Sequence, residues 1–461
     1  MPTKKTATKK TANKKTPSRK RKKPSSDTVP DNPSPLAVIS EAMNRMGGRA
    51  GKNYNLRSPG DLFSGFVDVP DFMVQYAHAC PGLVKGTIFE LIGPEHIGKT
   101  TMGFHMIKQI MKLGGYCLYL ETENKPMLEN RISRILSNSP KKGEDMLSMI
   151  SSDHAWTIHE AIDKIENWCK AMRSKSVQQE LGLSSDTPIA VMVDTWSKLM
   201  GPGEAAGRYK YAPTKNGEKE KKAKQAGEQV KMEHAAVAHS WLRMAPQFLN
   251  EYNVILFINA HQNISTMQDQ FSSFLPQSYK DKRNKTKIGG TAFNQSSAFQ
   301  WIMVKGAEIK DESKTVVGHQ VNARVDKNSY GDNAREFKFG ILSRFDLDTE
   351  DWVQSPVHSE LAVAELMVNH NILGTTVTNG KYTCRSLGLY DLPSRQFGKA
   401  LNKQPPEFWA YLRRCLNIFH PSVEGKNTEL LKEALVAALE PSTESEDDGV
   451  EHDRSVLEDE E

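Results

Sequence analysis

"GTIFELIGPEHIGKTTMGFHMIKQIMKLGG", residues 86–115, reads as strand, loop and helix in direct succession. Thr87–Ile92 is an apolar run of the length of a buried strand. In the loop, Gly93 is followed by four residues and then by Gly98, Lys99 and Thr100, the full spacing of a phosphate-binding loop. Each residue type has a task in that chemistry. Glycines permit the tight turn that aims successive backbone N–H groups at phosphate oxygens. The lysine reaches the β- and γ-phosphates, and the Thr100 hydroxyl meets Mg²⁺. The next segment has helical character and closes on Gly114 and Gly115, so phosphates would lie at a helix N-terminus, where the macrodipole favours anions. The nucleotide contacts expected are Gly93, Pro94, Glu95, His96, Ile97, Gly98, Lys99, Thr100 and Thr101. A glycine turn with a chance lysine is the plainer reading, and the strand and helix on either side weaken it.

Outward from this unit, apolar runs alternate with longer amphipathic segments, the pattern of an α/β fold with a mainly parallel central sheet. The expected strands are "TIFELI" (87–92), "YCLYLE" (116–121), "PIAVMVD" (188–194), "VILFINA" (254–260), "AFQWIMV" (298–304), "HQVNARVDK" (319–327) and "EFKFGIL" (336–342). The first four suit strands covered on both faces. The last three are less uniformly apolar and suit an antiparallel extension of the sheet. Ligands of such sheets gather at the carboxyl ends of strands. Polar residues interrupt the runs there: Glu121 and Glu123, Asp194 and Thr195, Asn259 and His261. Asp194 is placed like the aspartate that holds the Mg²⁺ shell in phosphate-loop NTPases, which makes Thr100 and Asp194 the metal candidates. Glu123, two residues past its strand, is positioned to orient or deprotonate an attacking water. Each carboxylate alone would read better as a helix cap. At successive strand ends beside the loop, the catalytic reading wins.

The chain has 461 residues and a formal net charge of +5, unevenly spread. Residues 1–23 carry nine Lys, two Arg and no acid, whereas residues 441–461 carry ten acids against Arg454. Subtracting these tails leaves +3 for the rest. Both ends lack the apolar content to fold alone and are expected to be disordered. The basic tail, with lysine pairs at Lys4, Lys9 and Lys14, suits either phosphate neutralisation on nucleic acid or a solubilising and localising role. The acidic end would compete with DNA for basic surfaces. "SPLAVISEAMNRMGG" (34–48) predicts a short N-terminal helix that docks on a neighbour or packs locally.

Five cysteines stand far apart without zinc spacing, which fits buried thiols in a reducing compartment. The histidine pairs His154/His159 and His234/His239 suit solvated helix faces better than metal binding. The sequence offers neither a membrane-length apolar run nor the apolar region of a signal peptide, so no membrane association and a cytoplasmic setting (nucleoid or viral replication site) are expected.

Two long polar insertions leave the carboxyl edge of the sheet: residues 201–231 and residues 263–290. Both mix Lys or Arg with Tyr or Phe, a composition that suits backbone tracking with base stacking on nucleic acid. A plain solvated loop is the other reading. Loops this long are commonly functional or disordered.

The order of "GPEHIGKTT", "CLYLETEN", "AVMVDTWSKLMGP", "VILFINAHQ" and "KIGGTAFNQSSAFQWIMV" resembles bacterial RecA and phage-encoded RecA-like strand-exchange proteins. "ELMVNHNIL", "NGKYTCRSLGL" and "WAYLRRCLNI" resemble RecA's small C-terminal domain, so the likeness covers roughly residues 36–420. The resemblance implies an ATP- and Mg²⁺-dependent DNA recombinase that forms a helical homo-oligomeric filament on single-stranded DNA and pairs it with double-stranded DNA. It implies Glu123 as the catalytic glutamate, Lys99 and Thr100 as phosphate and Mg²⁺ contacts, Asp194 as the second acidic motif, and the two insertions as DNA-binding loops. It also implies that Lys327 reaches the neighbouring subunit's ATP. Two departures stand out. The family commonly has a γ-phosphate-sensing Gln where this chain has Ala260, followed by His261 and Gln262, and Ser329 replaces a second interface lysine.

The division expected is a basic tail (1–34), an N-terminal helix or oligomerisation segment (35–60), a RecA-like ATPase core (61–350), a small α+β C-terminal domain (351–425), and a helix with an acidic tail (426–461). A RecA-fold helicase or loader and a DNA-coating protein that uses ATP as an assembly switch are the alternatives. The first normally needs an arginine finger. The second would not need Glu123.

Overall fold

Alternation along the apolar runs decides how the chain layers. In the run from Ile88 to Ile92, Phe89 and Leu91 enter one apolar cluster while Ile88 faces another. The same parity holds for Cys117 and Tyr119 against Leu118 and Leu120, and for Ala190 and Met192 against Ile189, Val191 and Val193. These strands are covered on both faces, as period-two side chains of a buried sheet require.

The computed structural model describes residues 65–123, 136, 146–150, 156–205, 217–264, 285–287, 291–310, 314–342, 345–346, 351–352 and 357–439. The expected 34–48 helix and both charged tails lie outside them, as does most of the second insertion. Described first are β1 (Phe66–Asp68), α1 (Phe72–His78) and β2 (Gly82–Val84), with β1 and β2 pairing antiparallel. The opening unit of the sheet follows as β3 (Ile88–Gly93), α2 (Lys99–Lys112) and β4 (Tyr116–Glu121). Next come β5 (Leu147–Ile150), α3 (Ile158–Met172), α4 (Lys175–Leu181) and β6 (Ile189–Asp194). Two helices, α5 (Pro202–Ala205) and α6 (Gly217–Tyr252), lead into β7 (Val254–Ile264) and β8 (Lys285–Lys287). Then α7 (Thr291–Ser296) precedes β9 (Phe299–Lys310), β10 (Val316–Asn328) and β11 (Glu336–Leu342).

The strands β5, β4, β6, β7, β3 and β9 lie side by side and parallel, and β10 and β11 continue the sheet antiparallel. Of the three runs expected as an antiparallel extension, "AFQWIMV" therefore behaves differently. Its strand pairs parallel with β3, because Phe299 and Trp301 fill the same apolar layer as Phe89 and Leu91.

The first insertion is corrected in part. Its stretch from Gly217 onward belongs to the 36-residue helix α6. Residues 217–231 are rich in Lys, Glu, Ala and Gln, strong helix formers, with Glu218–Lys222 and Glu220–Lys224 at helical pair spacing. Farther along, Ala238, Trp241, Leu242, Ala245 and Leu249 supply a buried stripe that anchors the helix on one face of the sheet, beside Ile158, Ala161, Ile165 and Cys169 of α3. His234 is corrected too. Its Nε2 is buried without a partner, its ring bonds the Trp196 backbone, and burial lowers its pKa, so it does not sit on a solvated face.

Residues beyond the sheet form α8 (Ser359–Asn369), the antiparallel strands β12 (Thr376–Thr378), β13 (Lys381–Cys384) and β14 (Leu389–Pro393), then α9 (Ser394–Leu401), α10 (Pro406–Cys415) and α11 (Thr428–Leu439). Their apolar residues, Phe397, Phe408, Leu412 and Leu431 among them, continue the α2-side cluster. Arg335 joins the two parts by donating to the carbonyls of Tyr76, Leu416 and Asn417 at 3.0–3.2 Å. Among the described cysteines Cys80, Cys117, Cys169 and Cys384 are buried free thiols, and Cys415 is half-buried. Among the described residues no helix is long and apolar enough to cross a membrane.

Candidate active site

The alternation that buries Phe89, Tyr119, Met192 and Phe257 against α2 continues past the last apolar residue of each strand. It brings Gly93, Glu121, Asp194, Asn259 and His261 to that same face at the carboxyl edge. Register aligns them. Gly93 pairs with His261 and Glu121 pairs with Asp194. Ala260 has the opposite parity, with Ile258, and is buried.

The 93–100 turn packs tightly from behind. A Cβ on Gly93 would come within 2.8 Å of the Met303 carbonyl oxygen. Gly98, the residue before α2, has φ of 96°, a left-handed conformation suited to glycine, and a Cβ there would stand 3.0 Å from Ile341. Pro94, Glu95 and His96 are exposed, Ile97 is buried against the apolar layer, and Thr101 is buried in the first turn of α2. No side chain caps the N-terminus of α2, and its first turn holds no acid.

Lys99 is 6% exposed and donates to the carbonyls of Gly93 at 3.0 Å and Pro94 at 2.6 Å. The Thr100 hydroxyl donates to Asp194 Oδ2 at 2.6 Å. Two further donors hold that carboxylate, Tyr119 Oη at 3.3 Å and Asn259 Nδ2 at 2.8 Å, and Thr195 Oγ1 stands 3.1 Å from it. Burial, together with the Asp194, Glu121 and Glu123 carboxylates, pushes the Tyr119 phenol up, so it stays a neutral donor.

Glu123 lies in the same network. Its backbone N–H donates to Glu121 Oε1 at 2.7 Å, and its own Oε1 accepts from Thr195 Oγ1 at 2.9 Å. His261 Nε2 stands 3.1 Å from that same oxygen, and its Nδ1 stands 3.4 Å from Lys99 Nζ. Thr122 bonds the Thr195 backbone in both directions, at 2.7 and 2.8 Å, and fixes the two strand ends together.

Lys99, Thr100, Asp194 and Glu123 are therefore brought together, linked through Thr195 and His261. Lys327 is not part of this cluster. It pairs in register with Gln300, whose parallel partner is Glu90, near the start of β3, and its Nζ donates to the carbonyls of Asn294 and Gln295 at the end of α7. Tyr119 and Thr122 escaped the sequence reading. Tyr119 was open to inference from its parity with Glu121, whereas nothing local marks Thr122.

Chemically, an uncapped helix start, a lysine turned onto loop carbonyls, and a hydroxyl bonded to a carboxylate suit a polyphosphate with a divalent cation. Among the described residues no group of three or more His, Cys, Asp or Glu could hold a metal alone. Mg²⁺ fits that limit, since it is bound through one or two protein ligands plus phosphate oxygens and waters.

Residues 64–153 match the RecA N-terminal domain family. The chain is 35% identical over 77 residues to the mitochondrial DNA repair protein recA homolog of Dictyostelium discoideum, covering 15% of this chain and 17% of that protein. It is 32% identical over 89 residues to the mitochondrial DNA repair protein recA homolog 3 of Arabidopsis thaliana, covering 18% and 20%. Protein RecA of Chlamydia muridarum is 34% identical over 74 residues, covering 15% and 21%. The chain thus matches about a fifth of the length of these relatives. Over this strand–loop–helix segment, the chain is similar to the RecA family.

Proposed function

We propose that the chain is an ATP-dependent DNA recombinase that assembles as a helical filament on single-stranded DNA and exchanges strands with a homologous duplex. The observation that carries this reading is the single hydrogen-bonded network joining Lys99, Thr100, Asp194 and Glu123. It occurs in a chain whose matched relatives include proteins named for DNA repair.

Bound ATP with Mg²⁺ would supply the phosphoanhydride whose hydrolysis resets the filament. Lys99 turns from the Gly93 and Pro94 carbonyls to neutralise phosphate charge, and the N–H groups of residues 95–101 complete the anion seat. Thr100 and Asp194 hold the cation, with Tyr119 and Asn259 fixing the carboxylate. Glu123, oriented by Thr195, draws a proton from the attacking water onto its carboxylate. Lys327, outside its own chain's network, serves the neighbouring subunit's nucleotide, and the two insertions hold the DNA. The 351–425 segment acts as the small C-terminal part of the filament subunit, and the protein works in the cytoplasm, at a nucleoid or viral replication site.

The test is strand exchange. Protein, ATP, Mg²⁺ and single-stranded DNA are mixed with a fluorescently labelled homologous duplex. Heteroduplex formation that requires both ATP and homology is expected. DNA coating without exchange would overturn the reading in favour of a coat protein.

A further inference from the structure

We propose that Tyr119 sets which divalent cation the site accepts: its phenol closes Asp194 to direct coordination and so favours Mg²⁺ over Ca²⁺. The inference rests on the ATP-binding reading above.

Three observations carry it. The first is acceptor capacity. Each carboxylate oxygen offers about two lone-pair positions. On Asp194 Oδ2 the Thr100 hydroxyl takes one at 2.6 Å and the Tyr119 phenol takes the other at 3.3 Å. Oδ1 accepts from Asn259 at 2.8 Å, and Thr195 Oγ1 stands against it at 3.1 Å. The Thr100 oxygen donates its proton and keeps its own lone pairs, so it meets a cation without losing Asp194. A cation that sought Oδ2 itself would have to evict a donor.

The second is the bracing of the phenol. Tyr119 is 1% exposed, on β4 between β5 and β6, and its ring packs on Phe104 of α2 with centroids 4.8 Å apart. Phe104 lies one turn after Thr100, so the helix that presents the hydroxyl also braces the phenol. Breaking the Tyr119–Asp194 bond would leave a buried O–H without its acceptor, which costs more than a typical bond contributes when made.

The third is the restraint on the neighbouring carboxylates. Glu121 and Asp194 pair in register, and Glu123 follows on the same strand end, a group of oxygens that would draw a large hard cation. Each is already engaged. Glu121 Oε1 accepts from the Glu123 N–H at 2.7 Å, and Glu123 Oε1 accepts from Thr195 Oγ1 at 2.9 Å. Ca²⁺ takes roughly six to eight oxygens, carboxylates among them, whereas Mg²⁺ keeps several of its waters. Carboxylates held by protein donors therefore select the cation that stays hydrated. Of those donors, the Tyr119 hydroxyl is the one that a substitution removes while leaving the carboxylates, Lys99 and Thr100 in place.

The experiment titrates Mg²⁺ or Ca²⁺ into the chain with a fluorescent, non-hydrolysable ATP analogue and reads the half-saturating concentration of each cation by anisotropy. Folding is checked by thermal melting. The native chain should half-saturate at a lower concentration of Mg²⁺ than of Ca²⁺. Tyr119→Phe, which removes the hydroxyl and keeps the ring, should move the ratio about tenfold toward Ca²⁺, the scale of a hydrogen bond to a charged group. Phe104→Leu, which loosens the ring and keeps the hydroxyl, should retain the native ratio. An unchanged ratio in folded Tyr119→Phe, or an equal shift in folded Phe104→Leu, would overturn the proposal. If Tyr119→Phe does not fold, the native chain crystallised with Ca²⁺ and the analogue decides. Ca²⁺ bound directly to Asp194 Oδ2 would overturn the proposal, and Asp194 reached only through water or Thr100 would support it. A native chain that binds the analogue equally well with either cation also overturns it, while leaving nucleotide binding intact. A native chain that binds the analogue with neither cation overturns the ATP reading itself.

Discussion

Helices α2 and α3 begin in opposite ways. At α3, Thr157 accepts from the Glu160 N–H at 3.1 Å while the Glu160 carboxylate accepts from the Thr157 N–H at 2.9 Å, a complete capping box. At α2 the cap is Gly98, with no side-chain acceptor and no acid in the first turn. One helix caps its own first turn with side chains, and the other has no side-chain cap. Beside the open end stand Lys99, Thr100 and Asp194. The contrast sets a self-capped terminus against one that, on the proposed function, would receive an anion.

The largest effect that sharpens this contrast is expected from Lys99→Ala. Nucleotide-dependent turnover should fall roughly 100-fold or more, as when a preorganised donor is lost from an active site. Steady-state hydrolysis by a mutant whose melting curve matches the native one checks this. A third helix end extends the comparison through pH. His78 occupies the last turn of α1, where a positive charge would suit the dipole, yet burial lowers its pKa to about 3 from an ordinary 6.5. The folded state refuses a proton that the unfolded chain accepts. This contribution is complete above about pH 6.5 and is lost as pH falls toward about 3. Over that range, the native chain should lose up to about tenfold more in folding constant per pH unit than His78→Phe. Urea unfolding at a series of pH values measures it.

Gly98→Ala should cost about 1–3 kcal/mol of stability, because it forces an L side chain into a left-handed conformation against Ile341. It should also weaken nucleotide binding. The smallest effect is Thr157→Ala, expected to cost about 1 kcal/mol by chemical denaturation and to leave nucleotide affinity unchanged. Equal effects of the two cap mutations on nucleotide affinity would break the comparison.

How much of this was legible in the sequence follows the range of the interactions. The strand, loop and helix around Gly93–Thr100 are written in local periodicity and glycine placement, so their bounds match the structure closely. Glu123 and Asp194 were legible only together, at successive strand ends beside the loop, since each alone reads as a helix cap. The α6 helix was obscured by its polar first half, whose helical propensity is a weaker signal than an apolar stripe. The parallel pairing of β3 with β9 depends on contacts between residues about 210 apart, such as Gln300 with Glu90 at 2.7 Å. His261 was visible as a polar strand-end residue, but its bridge from Lys99 to Glu123 depends on the register of three strands.

The central claim is a DNA-stimulated hydrolytic site activated by Glu123. The most direct measurement is ATP hydrolysis with and without single-stranded DNA, for the native chain and for Glu123→Gln. The account predicts strong stimulation of the native chain, with stimulated turnover lost in Glu123→Gln while ATP binding persists. Native turnover that ignores DNA, or stimulated turnover that survives in Glu123→Gln, would contradict it.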